Sequence, residues 1–350
     1  MFIERERHLN AEHYERSPDR AGYANGYKPK TLKTRIGKLD LLVPQTRDSD
    51  FYPSCLERGM RSERALKLAV AEMYFQGVST RKVKLIMEEL CGFGLTSSEV
   101  SNAAKLLDDE LAQWRTREIG GYTYVYLDAV YEKVRYAGHV RDCAVLIAVG
   151  IKKDGHRDIL GLSVALSEHE VHWREFLSDL QQRGLHGVEL IISDDHAGLK
   201  AARKAILPGI PWQRCHFHLQ QNAQSYVTSR DKRREVGGVI RSILTAADLE
   251  SAQNLLSRAI KVYEESMPKL ASWMEKNIPE GFAHFEYPET HHRKIRTSNP
   301  LERLNEEVRR RTKVIGIFPN TESCERLISA VLMEKADEWL SGKRYLDMEA

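Results

Sequence analysis

Tyr122-Thr-Tyr-Val-Tyr-Leu-Asp-Ala-Val130 is a β-branched and aromatic run that carries a single carboxylate, Asp128. Its residues alternate. Tyr122, Tyr124, Tyr126 and Asp128 point to one face, and Thr123, Val125, Leu127 and Ala129 to the other, as in a strand. An ionised Asp in such surroundings is costly unless a cation or hydrogen-bond donors compensate it. Two readings are open at this point: a strand-end Asp satisfied by backbone N–H groups, or a ligand of a bound metal.

Working outward, Cys143–Val149 and Ile159–Ala165 read as two further strands joined through Lys152-Lys-Asp-Gly155, which suggests an antiparallel meander. Glu168–Gln182 reads as a helix, and Val188–Ile192 as a strand that returns parallel after that crossover. A helix from about Gly198 to Ile206 and a short strand at Pro211–Cys215 follow. Residues 217–278 are helical in pattern, and after a basic loop a helix runs from about Ser298 to Arg311. Upstream, Lys30–Pro44 reads as a hairpin turning near Gly37-Lys38. Its Lys30, Lys33 and Arg35 suit either phosphate contact or edge protection. Residues 62–115 give three amphipathic helices. The first is built on Ala65, Leu66, Leu68, Ala69 and Met73, the second on Val83, Ile86 and Leu90 after an N-cap at Ser79. The third starts at Ser97 or Ser98 and is built on Val100, Ala104, Leu107 and Leu111. Helix, Gly-containing turn, helix fits a helix-turn-helix or an ordinary three-helix unit.

Two more carboxylates share the setting of Asp128. Asp194 ends the fourth strand, where α/β sheets place ligand-binding groups, with a helix cap as the other reading and Asp195 as the fallback candidate. Glu302 lies in Thr297-Ser-Asn-Pro-Leu-Glu-Arg-Leu-Asn305, where Ser298 or Asn299 caps a helix and Pro300 suits its first turn. Leu301, Leu304 and Val308 form the apolar stripe, and Glu302, Asn305, Glu306 and Arg309 the neighbouring polar face. Three hard oxygen ligands on separate elements suit Mg²⁺ or Mn²⁺, and such ions serve phosphodiester chemistry.

Composition narrows the classes. The chain has 350 residues, a net charge of +3 and five scattered cysteines without a CxxC pair, which fits a reducing cytosol. No apolar run is long enough to span a membrane, and the charged N-terminus lacks a signal-peptide core. Charge is clustered: Arg293–Lys313 holds eight Lys/Arg against three Glu, with further groups at Lys200–Arg214 and Arg230–Arg234. Several clusters around one candidate site point to a polyanion.

Tyr126-Leu-Asp-Ala-Val-Tyr131, Ile192-Ser-Asp-Asp-His-Ala-Gly-Leu199, Trp212-Gln-Arg-Cys-His-Phe-His218, and Arg296–Asn305 with Arg309-Arg-Arg-Thr-Lys-Val-Ile-Gly-Ile-Phe-Pro319 resemble the mutator-type transposases of bacterial insertion sequences. Ala24-Asn-Gly-Tyr27, Gly37–Pro44 and Met73–Arg81 extend the resemblance over essentially the whole chain. It implies a ribonuclease H-like mixed sheet with an Asp-Asp-Glu site at Asp128, Asp194 and Glu302, which would be both the catalytic residues and the ligands of Mg²⁺ or Mn²⁺. The residue pattern gives a basic hairpin segment over 1–60 and a helical, helix-turn-helix-like region over 61–118 expected to bind DNA, and the resemblance implies a catalytic domain over 119–350 with a helical insertion at about 219–290. Cys215, His218 and Asn299 are expected to support the site. Arg81, Lys82, Lys84, Arg296, Arg309, Arg310 and Arg311 are expected to hold DNA.

The expected activity is binding of terminal inverted repeats, metal-dependent cleavage at the element end and strand transfer into target DNA. A homodimer or larger assembly would pair the two ends, in the bacterial cytoplasm at the nucleoid. Members of the family usually carry further sequence before Asn25-Gly-Tyr27, so a truncated descendant that only binds DNA is one alternative. A structure-selective nuclease of the same fold is the other. The Cys215/His218 spacing could supply two zinc ligands, with His216, His291 and His292 as further candidates, but no CxxC or HxxxH pair completes a site. Zinc is not expected. Elemental analysis of purified protein should therefore find no stoichiometric zinc. One tightly bound zinc per chain, lost in Cys215→Ser, would overturn the supporting role.

Overall fold

The computed structural model describes residues 1–12 and 14–348, so the last two residues of the expected catalytic domain lie outside the described residues. The chain forms two compact units, Met1–Asp108 and Asp109–Ala350.

The first unit contains α1 (Phe2–Leu9), β1 (Tyr23–Thr34), β2 (Gly37–Arg47), α2 (Arg64–Phe75), α3 (Thr80–Cys91) and α4 (Ser97–Ala104). β1 and β2 form the expected antiparallel hairpin, but Thr34 pairs with Gly37, so the turn is Arg35-Ile36. Thr34 Oγ1 closes it by donating to the Gly37 carbonyl at 2.8 Å, and Gly37 opens β2 at φ 116°, a conformation that favours glycine. The Ser79 hydroxyl accepts from Lys82 N–H and caps α3, as its position predicts. Gly92 ends the helix in the left-handed region. α4 is capped by Thr96, one residue before the expected start, in a reciprocal capping box with Glu99. Leu66, Val70, Val83, Met87, Phe93, Leu95, Val100 and Ala103 make the core of this unit. Leu68 and Leu90 are exposed, not inward as the pattern suggested. Leu90 falls in the last turn of α3, outside the cluster.

The second unit begins with α5 (Asp108–Thr116). The single third helix expected over 97–111 is interrupted by a 3₁₀ turn at Lys105–Leu107. Then come β3 (Tyr124–Tyr136), β4 (His139–Ile151), β5 (Arg157–Ala165), α6 (Glu170–Gln182), β6 (Leu190–Ser193), α7 (Ala197–Ile206) and β7 (Trp212–Arg214). The strands form one mixed sheet in the order β5-β4-β3-β6-β7. β3–β4 and β4–β5 are antiparallel, while β6 and β7 run parallel to β3. Val125, Leu127, Leu146 and Ile191 pack with Trp173, Phe176 and Leu177 of α6 and with Leu199 and Ala202 of α7. Tyr122 precedes β3 and joins this cluster, not the face of Tyr124 and Tyr126, because its hydroxyl donates to Asp158 at 2.7 Å.

Four helices follow: α8 (His216–Gln224), α9 (Arg230–Leu244), α10 (Leu249–Ser266) and α11 (Pro268–Asn277). They bury a separate core that includes Leu219, Ile240, Leu256 and Met274. The basic segment read as a loop is a short helix, α12 (Glu289–Ile295), and it leads into α13 (Asn299–Thr312) and α14 (Thr321–Ser341). Tyr124 Oη lies 2.8 Å from His291 Nδ1, and Tyr126 Oη donates to the Lys294 carbonyl at 3.2 Å. The second face of β3 is thus pinned by the C-terminal helices.

Met87→Ala should cost about 2–5 kcal/mol, the usual range for emptying a core site, and Leu90→Ala should stay within about 0.5 kcal/mol. Urea unfolding of the two variants checks this difference.

Candidate active site

Strand register brings the first two acids together. Tyr126 of β3 pairs with Ile192 of β6, so Asp128 and Asp194 lie level, each two residues beyond that pair. Adjacent strands are about 4.8 Å apart, so the carboxylates share one end of the sheet. Ser193 pairs with Arg214 of β7, which puts Cys215 level with Asp194 on the next strand. α13 supplies the third acid. Its apolar stripe Leu301, Leu304 and Val308 is buried, and its adjoining face carries Glu302, Asn305, Glu306 and Arg309 into a cleft of about 410 Å³ with Asp128 and Asp194. Ser298 stands at the N-cap position, but its hydroxyl does not cap the helix. It donates to Cys215 Sγ at 3.3 Å.

Electrostatics mark the cleft. Burial first, and the nearby Asp194 second, push Asp128 up to about 6, against donation from the Ala129 N–H, the charge of His218 and donation from Asn305. Asn305 Nδ2 donates to Asp128 Oδ2 at 2.9 Å. Cys215 is fully buried and accepts from Ser298 N–H at 3.4 Å. Burial opposes ionisation of the thiol, but His218 and Ser298 outweigh it and hold its pKa below the ordinary value. The Cys215 sulfur, against burial, lifts His218 to about 9, with Asp194 and Asp128 adding to the effect. His218 is therefore a cation beside two acids at neutral pH.

The other expected residues divide. Asn299 is the first residue of α13, is exposed and does not line the cleft; Asn305 makes the contact to Asp128 instead. Arg309 is exposed and lines the cleft. Arg310 is exposed but bonded to Glu307 at 2.7 and 2.8 Å. Arg311 is corrected: it is 2% exposed, with its guanidinium held by Glu307 and Glu334, so it belongs to the core and not to a DNA surface. Arg296 is half-buried and its carbonyl receives the His216 N–H. Arg81, Lys82 and Lys84 are exposed on α3 of the first unit. That unit also has a cleft of about 560 Å³ lined by Lys28, Lys30, Tyr52 and Arg61, a lining that is basic where the α13 cleft is acidic. Sequence reasoning missed four cleft residues, Ala129, Tyr131, Glu168 and Phe217. Alternation along β3 assigns Tyr131 and Ala129 to the face opposite Asp128, so no local signal announced either of them at the cleft.

The donor set suits a hard cation in kind. Asp128, Asp194 and Glu302 offer oxygens only, and Glu302 Oε1 and Asn305 Oδ1 are buried without a hydrogen-bond partner. As they stand, the side chains do not close on one point: among the described residues no group of three or more His, Cys, Asp or Glu could hold a metal ion.

The sheet thus ends in clustered carboxylates beside an exposed arginine. Comparison with known proteins identifies the family. Residues 1–342 match the family described as transposase, Mutator family. The chain is 54% identical over 347 residues to the transposase for insertion sequence element IS406 of Burkholderia multivorans, covering 99% of this chain and 89% of that protein. It is 46% identical to the transposase for insertion sequence element ISRM5 of Rhizobium meliloti, covering 97% and 86%. It is 38% identical to the transposase for insertion sequence element IS256 in transposon Tn4001 of Staphylococcus aureus, covering 100% and 90%. The chain belongs to the Mutator family of transposases. No helix among its described residues is long and apolar enough to cross a membrane.

The raised pKa of Asp128 has a measurable consequence. The folded chain holds this proton more tightly than the unfolded chain, whose Asp titrates near 3.8. Ionisation therefore costs folding stability as pH rises from about 4 through about 6. With chelator present, Asp128→Asn should be more stable than the parent at pH 7.5, by on the order of 2 kcal/mol. The gain should shrink to nothing below about pH 4. Thermal melts across that range check it.

Proposed function

We propose that this transposase is an Asp-Asp-Glu enzyme that cuts DNA at the ends of an insertion sequence and joins them to a target. In this reading the second unit is a ribonuclease H-like domain with α8–α11 as its helical insertion. Asp128, Asp194 and Glu302 would hold Mg²⁺ or Mn²⁺. The observation that carries the reading is their convergence in one cleft from three separate elements, with a buried and unpartnered oxygen on Glu302. A divalent cation bound there would neutralise charge on the phosphodiester and favour in-line displacement.

The chain's own residues have distinct tasks. Asn305 fixes the rotamer of Asp128 through Oδ2. His218, cationic beside Cys215, moderates the repulsion between Asp128 and Asp194. Arg309 on the cleft wall is placed to contact a phosphate of the bound strand. In the first unit, α3 and α4 with the turn at Gly92 act as a helix-turn-helix-like element, and exposed Arg81, Lys82 and Lys84 meet the terminal inverted repeat. Pairing two element ends requires at least two copies of the chain in the active complex.

The test separates chemistry from binding. Asp128→Asn, Asp194→Asn and Glu302→Gln should each abolish nicking and joining of a terminal-repeat duplex in Mg²⁺ while leaving its gel-shift affinity intact or slightly higher. Arg81→Ala or Lys84→Ala should weaken binding and reduce its salt dependence. Nicking at the parental rate by folded Asp128→Asn would rule the mechanism out, and cleavage without joining would leave a nuclease.

A further inference from the structure

The cleft holds two carboxylates that the reading above leaves unused, the exposed Glu306 and the buried Glu168. Glu168 lies in the link between β5 and α6, is 8% exposed, and lines the cleft with Asp128, Asp194 and Glu302. Its Oε2 accepts the Tyr131 hydroxyl at 2.7 Å and lies 3.7 Å from His196 Nε2. His196 in turn donates its backbone N–H to Asp194 Oδ1 at 3.3 Å. A continuous chain of contacts thus runs from Tyr131 on β3 through Glu168 and His196 to Asp194.

The backbone reinforces the link. A Cβ placed on Gly198 would stand 2.4 Å from the Glu168 carbonyl and 2.9 Å from Glu170 N. The segment bearing Asp194 and His196 therefore rests directly against the segment bearing Glu168, and only glycine permits that approach. Burial raises the pKa of Glu168, and the Tyr131 hydroxyl and His196 oppose the shift. An acid in that position, close to other acids, adds repulsion that a neutral amide of the same shape would avoid. A mere loop anchor has no need of it. A group that orients an imidazole by charge does.

We propose that Glu168 is a positioning residue: it holds His196, and through His196 the Asp194 loop, in the orientation that cation and DNA require. This rests on the cleft being the catalytic site. Outer partners of this kind typically change cation affinity or activity by about 10- to 100-fold when altered.

The experiment is a double-mutant cycle in the full chain with Glu168→Gln, His196→Asn and the pair. Single-turnover nicking, Mn²⁺ affinity by electron paramagnetic resonance, duplex affinity and melting temperature are all measured. Each single variant should slow nicking and weaken Mn²⁺ binding by at least about tenfold. The pair should be no worse than either single variant, Mn²⁺ stoichiometry and duplex affinity should hold, and the melting temperature should not fall. Multiplying effects, a lost Mn²⁺ equivalent in Glu168→Gln, or parental behaviour of that variant would each overturn the proposal. If Glu168→Gln fails to fold, Tyr131→Phe removes one hydrogen bond from an exposed ring and replaces it in the cycle. Parental nicking by Tyr131→Phe would then overturn the proposal. Asp128→Asn, run alongside, keeps the two readings apart. If it nicks, the catalytic assignment fails; if it is dead while the cycle multiplies, only the role of Glu168 fails.

Discussion

Two carboxylates held level on neighbouring parallel strands are the constraint on which the second unit depends. Strand pairing fixes Asp128 beside Asp194 whatever their charges prefer, and burial at Asp128 reduces the screening that water would give. Much of the surrounding architecture can be read as a response. Asn305 reaches across from α13 to one oxygen of Asp128, the Ala129 N–H takes the other, and His218 brings a positive charge. The imidazole is charged at neutral pH because Cys215 sits next to it. Cys215 in turn is placed by β7 and held by Ser298 at the start of α13. The cysteine, the histidine and the helix start thus form one device that ties α13 to the sheet and tempers the acid pair.

How much of this was legible in the sequence depends on whether the signal was periodic. The strands and both aspartates were readable because alternation and strand ends are local features. The Glu302 face followed from the helical spacing of Leu301, Leu304 and Val308. The two ends of the run Arg309-Arg-Arg311 look alike as letters, but each helical residue turns the side chain by about 100°. That rotation sends Arg309 into the cleft and Arg311 into a buried contact with Glu307 and Glu334. The partner Glu334 lies on α14, and no local pattern announces a contact with so distant a helix.

Glu168 shows the opposite case. It sits in Ser167-Glu-His-Glu170, a polar link with no apolar rhythm, where a carboxylate reads as a solvated turn or helix-start residue. Its burial comes from the close packing of two links at Gly198, a tertiary event. Asn299 failed for a related reason. Its place before Pro300 suggested a cap at the site, but the first residue of α13 is exposed, and the amide that matters, Asn305, lies almost two turns further on.

An acidic cleft cannot by itself attract DNA. With Asp128, Asp194, Glu302, Glu168 and Glu306 on its wall, the cations facing them are Arg309 and His218, so its own field opposes phosphate. Affinity has to be generated on other surfaces. The exposed Arg81, Lys82 and Lys84 of α3, where Lys84 also pairs with Glu88 at 3.6 Å, and the basic cleft of Lys28, Lys30 and Arg61 have the required sign. In the proposed reading, chemistry and binding fall to side chains of opposite charge on different parts of the chain, and a divalent cation would reconcile the acidic cleft with its substrate.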